Sequence, residues 1–98
     1  MKILNTTFYI RPSLHDEFMQ WMKAYVGSIP AGISYELDII TSPADEEAEA
    51  YALRLMADSD QTIAAWHDGD GAEQRAKLGA MYGEKTLHFT TLMEKIEI

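Results

Sequence analysis

Apolar and polar positions along this chain follow two periods, one of two residues and one of about 3.6, and the switches between them mark out the elements. The clearest segment is residues 12–26, PSLHDEFMQWMKAYV. Leu14, Phe18, Trp21, Met22 and Tyr25 fall on one face of a helix there, and His15, Asp16, Gln20 and Lys23 fall on the other. Pro12 suits a first helical turn, and Ser13 with Asp16 three residues on predicts a side-chain cap. The breaker-rich run GSIPAG, residues 27–32, ends the helix. Every other apolar segment is short and strand-like, so this helix must cover a sheet.

The two-residue alternation predicts four strands. Over residues 3–10, Leu4, Thr6, Phe8 and Ile10 share one face, and Ile3, Asn5, Thr7 and Tyr9 share the other. Over residues 33–41, Ile33, Tyr35, Leu37 and Ile39 alternate with Ser34, Glu36 and Asp38, which reads as one buried and one polar face. A polar turn, SPADEE at residues 42–47, leads into residues 49–56, where Tyr51, Leu53 and Leu55 oppose Ala50, Ala52 and Arg54, so these two strands form a hairpin. Asp58, Ser59 and Asp60 then offer capping chemistry to a second helical region anchored by Ile63, Ala64 and Trp66. The run HDGDG at residues 67–71 breaks that helix, since two glycines cost about 2 kcal/mol relative to alanine. Helix resumes over residues 72–82 with Leu78, Met81 and Tyr82 as its buried positions, and Gly83 stops it. The last strand, residues 85–93, sets Leu87 and Phe89 against His88, Thr90 and Leu92, and the tail 94–98 prolongs its alternation.

The order βαββαβ, with right-handed crossovers, closes as a four-stranded antiparallel sheet ordered 4-1-3-2 with both helices on one face. The fold class is α+β. The uncovered face would carry Ile3, Tyr9 and Leu92 among polar residues, and a second copy related by two-fold symmetry would cover it. A homodimer through the open sheet face is therefore expected.

Composition narrows the partners. The 98 residues make one domain, 1–98, large enough for a modest core. Sixteen acidic against eight basic residues leave a net charge of −8, with no basic run, which argues against nucleic acid and against anionic membrane surfaces. The absence of cysteine removes thiol catalysis, disulfides and thiolate-bound zinc. No segment has the apolar length of a membrane span, and the opening MKILNTTFYIRP lacks a signal-peptide pattern, so a cytoplasmic protein is expected.

The candidate chemistry is sparse. On this reading Asn5, Thr7, His88 and Thr90 share the open face of neighbouring strands, where a histidine beside an asparagine and hydroxyls is a candidate general base. The plainer alternative makes them polar residues of a wet dimer interface. Tyr9 joins them as a candidate ligand contact, and Trp66 beside His67 could stack on a ligand, although a core anchor explains Trp66 better. Asp68, Asp70 and Gly71 have the opening spacing of a calcium loop, but Ala72 stands where the next acidic ligand belongs. His15 and His67 stand alone on predicted helix surfaces, too isolated for a metal site, so no metal is expected. No nucleophile elbow or phosphate-cradling glycine loop occurs.

LNTTFYI, HDEFMQWMK, SYELDII and MYGEKTLHFTTLMEKI together span nearly the whole chain. They resemble a family of small bacterial proteins built on a domain of unknown function, within the dimeric α/β barrel superfamily of ferredoxin-like proteins. The most specific parts are Trp21-Met22-Lys23 and the turn at residues 83–85 leading into Phe89-Thr90-Thr91-Leu92. Many members follow the first helix with His-Ile-Pro, where this chain has Ser28-Ile29-Pro30. The resemblance implies the ferredoxin-like fold and dimerisation, and it implies no specific activity. The wider superfamily includes cofactor-free monooxygenases and haem-degrading monooxygenases. Asn5 and Trp66 match an asparagine and a tryptophan of the haem-degrading type. The haem-ligand position falls near Ala76, however, and no histidine lies between Asp68 and Leu87, so that chemistry is not expected. The reading is a small homodimeric ligand-binding or interaction module without a cofactor. A small apolar or aromatic ligand is the expected partner besides a second copy, and the alternative is a cofactor-free monooxygenase acting on a small aromatic substrate, with His88 and Asn5 as catalytic candidates.

Overall fold

The computed structural model describes residues 1–42 and 46–98, and part of the expected 42–47 turn lies outside the described residues. The strands are β1 (Lys2–Ile10), β2 (Ser34–Ile40), β3 (Glu49–Ala57) and β4 (Thr86–Glu94). The helices are α1 (His15–Gly27), α2 (Asp60–His67) and α3 (Asp70–Tyr82), with short 3-10 turns at Pro12–Leu14 and Gly83–Lys85. The sheet is antiparallel in the order β2-β3-β1-β4, which is the expected 4-1-3-2 read from its other edge.

β1 is bonded along its whole length on both sides, with Lys2 opposite Ala57 and Glu94, and Ile10 opposite Glu49 and Thr86. Its alternation therefore sets the faces of the sheet. Leu4, Phe8 and Ile10 point to the helices and join Phe18, Met22, Tyr25, Leu53, Leu55, Ile63, Trp66 and Leu78 in one core. Phe8 lies at its centre, with ring centroids 5.5 Å from Phe18, 5.7 Å from Trp21 and 6.3 Å from Tyr25. Trp21 stacks on Tyr25 at 4.5 Å, and Tyr25 in turn meets Trp66 at 4.9 Å, so α1 and α2 interlock above the sheet. Such ring pairs add about 0.5–1.5 kcal/mol each beyond the area they bury.

Several expectations need correcting. Ser13 makes no cap: Pro12–Leu14 winds as a 3-10 turn closed by Leu14 N–H donating to the Arg11 carbonyl at 2.9 Å, and α1 begins only at His15 without a side-chain cap. Ser59 does cap α2, accepting from the Thr62 N–H at 3.2 Å. Tyr35 and Ile39 are 46% and 59% exposed, because β2 is an edge strand and the helices cover the middle of the sheet. Met81 is likewise exposed on the outer side of α3. The break between α2 and α3 is only Asp68 and Gly69, since α3 already begins at Asp70. Gly71 lies inside α3, packed so closely on Trp66 that a Cβ there would come within 3.0 Å of the Trp66 carbonyl oxygen. Strand β4 ends at Glu94, and the tail beyond it forms no further strand. No helix among the described residues is long and apolar enough to cross a membrane.

The faces of β4 are the reverse of the expected ones. His88 pairs with Phe8, Thr90 with Thr6 and Leu92 with Leu4, so these three lie on the helix side. Leu87, Phe89, Thr91 and Met93 lie on the open face, opposite Tyr9, Thr7, Asn5 and Ile3. The alternation within the strand is the expected one. Its assignment to a face depended on the register with β1, which no local pattern encodes.

Leu78 is wholly buried beneath α3 against this core. Leu78→Ala is expected to lower unfolding stability by about 3 kcal/mol without changing the urea m-value, measured by equilibrium denaturation.

Candidate functional site

The register divides the candidate residues between two faces, so they do not form one site. Asn5, Thr7 and Tyr9 are on the open face, where Asn5 Nδ2 donates to Thr7 Oγ1 at 3.2 Å and the Tyr9 ring stacks on Phe89 at 6.2 Å. His88 and Thr90 are on the helix side, where the His88 ring lies 5.7 Å from Phe8 and the Thr90 hydroxyl is 3.2 Å from that of Thr6. Asn5 and His88 therefore cannot act on the same face of one substrate within one chain. Trp66 is a core residue, with its Nε1–H donating to Ser28 Oγ at 3.3 Å. Ser28 also accepts from Gln74 Nε2 at 2.8 Å and donates to the Tyr25 carbonyl at 2.7 Å, which ties the end of α1 to α2 and α3.

A cluster absent from the sequence reading lies on the helix side. Arg75 of α3 donates from Nη1 to the Tyr25 hydroxyl at 2.8 Å and to His67 Nδ1 at 3.0 Å, and from Nη2 to the His67 carbonyl at 2.8 Å. A guanidinium has no lone pair to offer, so His67 Nδ1 must be the acceptor and any ring proton sits on Nε2. Burial lowers the pKa of His67 and Arg75 lowers it further, and the same two causes lower that of His88. Burial raises the Tyr25 hydroxyl pKa, with Arg75 opposing. His67 is thus a buried, partnered residue, in contrast to the isolated surface histidine expected. The only local sequence signal is Gly71 four residues before Arg75, the spacing that leaves room for the guanidinium one turn away.

A second cluster joins the start of α1 to β3. His15 Nδ1 is 2.7 Å from Glu49 Oε1, and the Tyr51 hydroxyl donates to the same oxygen at 2.8 Å while lying 3.2 Å from His15 Nδ1. The hydrogen bond to Glu49, then its charge, raises the His15 pKa. Partial burial pushes the Glu49 carboxyl up, but the hydrogen bonds from His15 and Tyr51 outweigh it and leave the pKa lowered. Tyr51 is pushed up to about 12 by burial and by Glu49. Among the described residues no group of three or more His, Asp or Glu side chains is arranged to hold a metal ion.

Among the described residues, grooves lie at both ends of the sheet. One, of about 420 Å³, is lined by Tyr9, Ile10, Arg11, Ala48, Glu84, Lys85 and Leu87. The other, of about 400 Å³, is lined by Met1, Gly32, Ser34, Glu36, Met56, Ala57 and Asp58. Tyr9 and Leu87 in the first, and Ser34, Glu36 and Met56 in the second, are open-face residues.

The three histidines are expected to titrate apart, as followed by NMR of the ring protons. His15 should titrate above the ordinary 6.5, and His67 and His88 below it. The sign of each stability contribution follows by linkage. The His15 contribution is complete below pH 6.5 and is lost as pH rises through its raised value. Neutral His67 and His88 contribute fully above pH 6.5, and that contribution falls as pH drops through their lowered values. Glu49→Gln should bring the His15 midpoint back toward 6.5, whereas a His15 midpoint unmoved by this change would refute the pairing.

Solved structures with the same architecture show low sequence identity to this chain. A protein from Deinococcus radiodurans described as an antibiotic biosynthesis monooxygenase aligns with a TM-score of 0.78 and 13% identity, covering 100% of this chain and 95% of its own. SnoaB, a cofactor-independent oxygenase from Streptomyces nogalater, aligns with a TM-score of 0.62 and 9% identity, covering 99% and 95%. A dimeric ferredoxin-like protein of unknown function from Thermobifida fusca aligns with a TM-score of 0.57 and 10% identity, covering 95% and 92%. These likenesses establish the ferredoxin-like fold, and fold alone carries no activity. No match is found among the curated proteins. The family model for a domain of unknown function, DUF4286, matches residues 1–96, and the chain belongs to that family.

Proposed function

We propose that this protein is a homodimeric small-molecule-binding module whose two copies meet through their open sheet faces. The carrying observation is the unequal character of that face. Its β1–β4 half presents Leu87 at 63%, Phe89 at 51% and Met93 at 37% exposure, with Ile3 and the Tyr9 ring beside them. Its β2–β3 half presents Glu36, Asp38 and Arg54 beside the half-buried Ile40 and Met56, with Arg54 3.8 Å from Glu36. Four strands of up to nine residues make a face of about 30 × 19 Å, which with its rim approaches the roughly 800 Å² that each partner contributes to a stable interface. An apolar patch of this kind is what two-fold self-association would bury.

Both grooves adjoin this face, and a second copy would roof them. The groove at Tyr9 and Leu87 falls within the range of roughly 300–1,000 Å³ typical of small-ligand sites. It combines apolar walls with Arg11, Glu84 and Lys85, which suits a small apolar or aromatic ligand bearing a polar group. Asn5, Thr7 and Tyr9 would be the polar contacts of the covered face. This reading involves neither nucleic acid nor a membrane, in keeping with the net charge of −8, and it places the protein in the cytoplasm.

A second reading is a cofactor-free monooxygenase, favoured by the backbone likeness to SnoaB and to the Deinococcus protein. In that reading His88 and Thr90 would serve a substrate on the helix side, with His88 neutral and able to accept a proton near neutral pH. Asn5 would then act only from the other face.

Native mass spectrometry at micromolar concentration is expected to give a species of twice the 11.1 kDa subunit mass. Phe89→Glu, which puts a charge at an exposed position, should yield a folded monomer. A monomeric wild-type protein would overturn the dimer reading. An extra mass retained reproducibly on the dimer would identify the ligand class.

A further inference from the structure

Arg75 is a half-buried cation with no ion-pair partner among the described residues. A guanidinium has five N–H donors in a rigid fork. Three are engaged, all with neutral acceptors: the Tyr25 hydroxyl, His67 Nδ1 and the His67 carbonyl. Because both Nη1 hydrogens and one Nη2 hydrogen are used, Nε–H and the second Nη2–H are left. With His67 taking one hydrogen from each Nη across the end of the fork, those two lie along the other edge, with the spacing that matches two carboxylate oxygens. No described side-chain nitrogen or oxygen is both buried and without a partner. The Nε of Arg75, which has no partner, is therefore not sealed from solvent.

The guanidinium is also held in place. Tyr25 is buried in the core, and a Cβ at position 71 would lie 3.1 Å from Nη1, so a side chain there would press on the guanidinium. The nearby titratable groups are His67 and His88, both kept toward the neutral form, and Asp68, whose charge is felt by His67. None of them supplies Arg75 with a bonded carboxylate. An interior ion pair would have been the ordinary way to offset the desolvation of this charge. A held guanidinium with an accessible edge and no carboxylate partner among the described residues is open to an anion from outside.

We propose that Arg75 is the anchor of a binding site for a small organic carboxylate on the helix side of the sheet, gripped in bidentate fashion by Nε–H and Nη2–H. His88 and Thr90, on the helix side of the neighbouring edge strand, face the same side as the bound acid. This site is on the opposite side from the dimer face. Its failure would leave the dimer standing, and a monomeric protein would leave the site standing.

The test is an NMR titration of ¹⁵N-labelled protein with benzoate, using benzamide as the uncharged isostere. The chain has three arginines, and Arg11→Lys and Arg54→Lys, both at exposed positions, assign the other two Nε–H signals. Benzoate is expected to shift the Arg75 Nε–H signal saturably, with benzamide leaving it in place. Arg75→Lys, which keeps the charge but loses the planar fork, should weaken benzoate binding by at least about tenfold. If that variant does not fold, the wild-type titration decides the matter by itself. An Arg75 signal that ignores benzoate, responds equally to benzamide, or moves no more than those of Arg11 and Arg54 would overturn the proposal.

Discussion

β1 is hydrogen-bonded on both edges from Lys2 to Ile10, and the side to which each of its residues points decides the environment of nearly every other side chain. On one side Leu4, Phe8 and Ile10 build the floor of the core, and Phe8 receives the rings of Phe18, Trp21 and Tyr25. On the other side Ile3, Asn5, Thr7 and Tyr9 stand on a face that no helix covers. Because the side-chain period of a strand is two, a slip of one residue in β4 against β1 would exchange His88 with Phe89 across the sheet. The chemistry available on each side is thus a consequence of register.

The two sides solve the problem of polar groups differently. On the helix side polar atoms are tied into short networks: Arg75 with Tyr25 and His67, and Ser28 with Trp66 and Gln74. Among the described residues no buried side-chain nitrogen or oxygen lacks a partner, as expected where an unmet hydrogen bond costs about 1–3 kcal/mol. These networks also join α1 to α2 and α3, so they fix how the helices sit on the sheet. The open face carries its charged groups, Glu36, Asp38 and Arg54, over β2 and β3, and its most exposed large apolar ones, Leu87 and Phe89, over β4. Such a face suits self-association, because the charged groups set orientation while the apolar patch supplies the driving force.

The seam between α2 and α3 shows how a local weakness serves packing. Gly69 and Gly71 carry no Cβ, and one at position 69 would lie 2.8 Å from the Ala65 carbonyl oxygen. The chain turns there within two residues, which brings the end of α2 and the first turns of α3 around a single guanidinium. Arg75 thus reaches His67 across the seam. A side chain at position 71 would press on that guanidinium.

Local physics wrote the elements into the sequence. The stripe from Leu14 to Tyr25, the alternation of the four strands, the Ser59 cap and the stop at Gly83 all depend on neighbours within a few residues, and with right-handed crossovers they lead to the sheet order observed. Trp66 as a core anchor was legible for the same reason, being apolar at a helical spacing from Ile63. The placement of His88, Thr90, Leu87 and Phe89 was not, since alternation says that they face opposite ways without saying which way is inside. Nor was the shallow burial of Tyr35 and Ile39, which follows from the width of the sheet relative to the helices above it, or of Met81, on the outer side of α3. The partners of His15 and Arg75 lie far away in sequence, at Glu49 and Tyr25, and only the folded chain brings them within hydrogen-bond reach. Periodicity along the chain determined what the elements are; register and long-range packing, which have no local signature, decided which of their side chains meet.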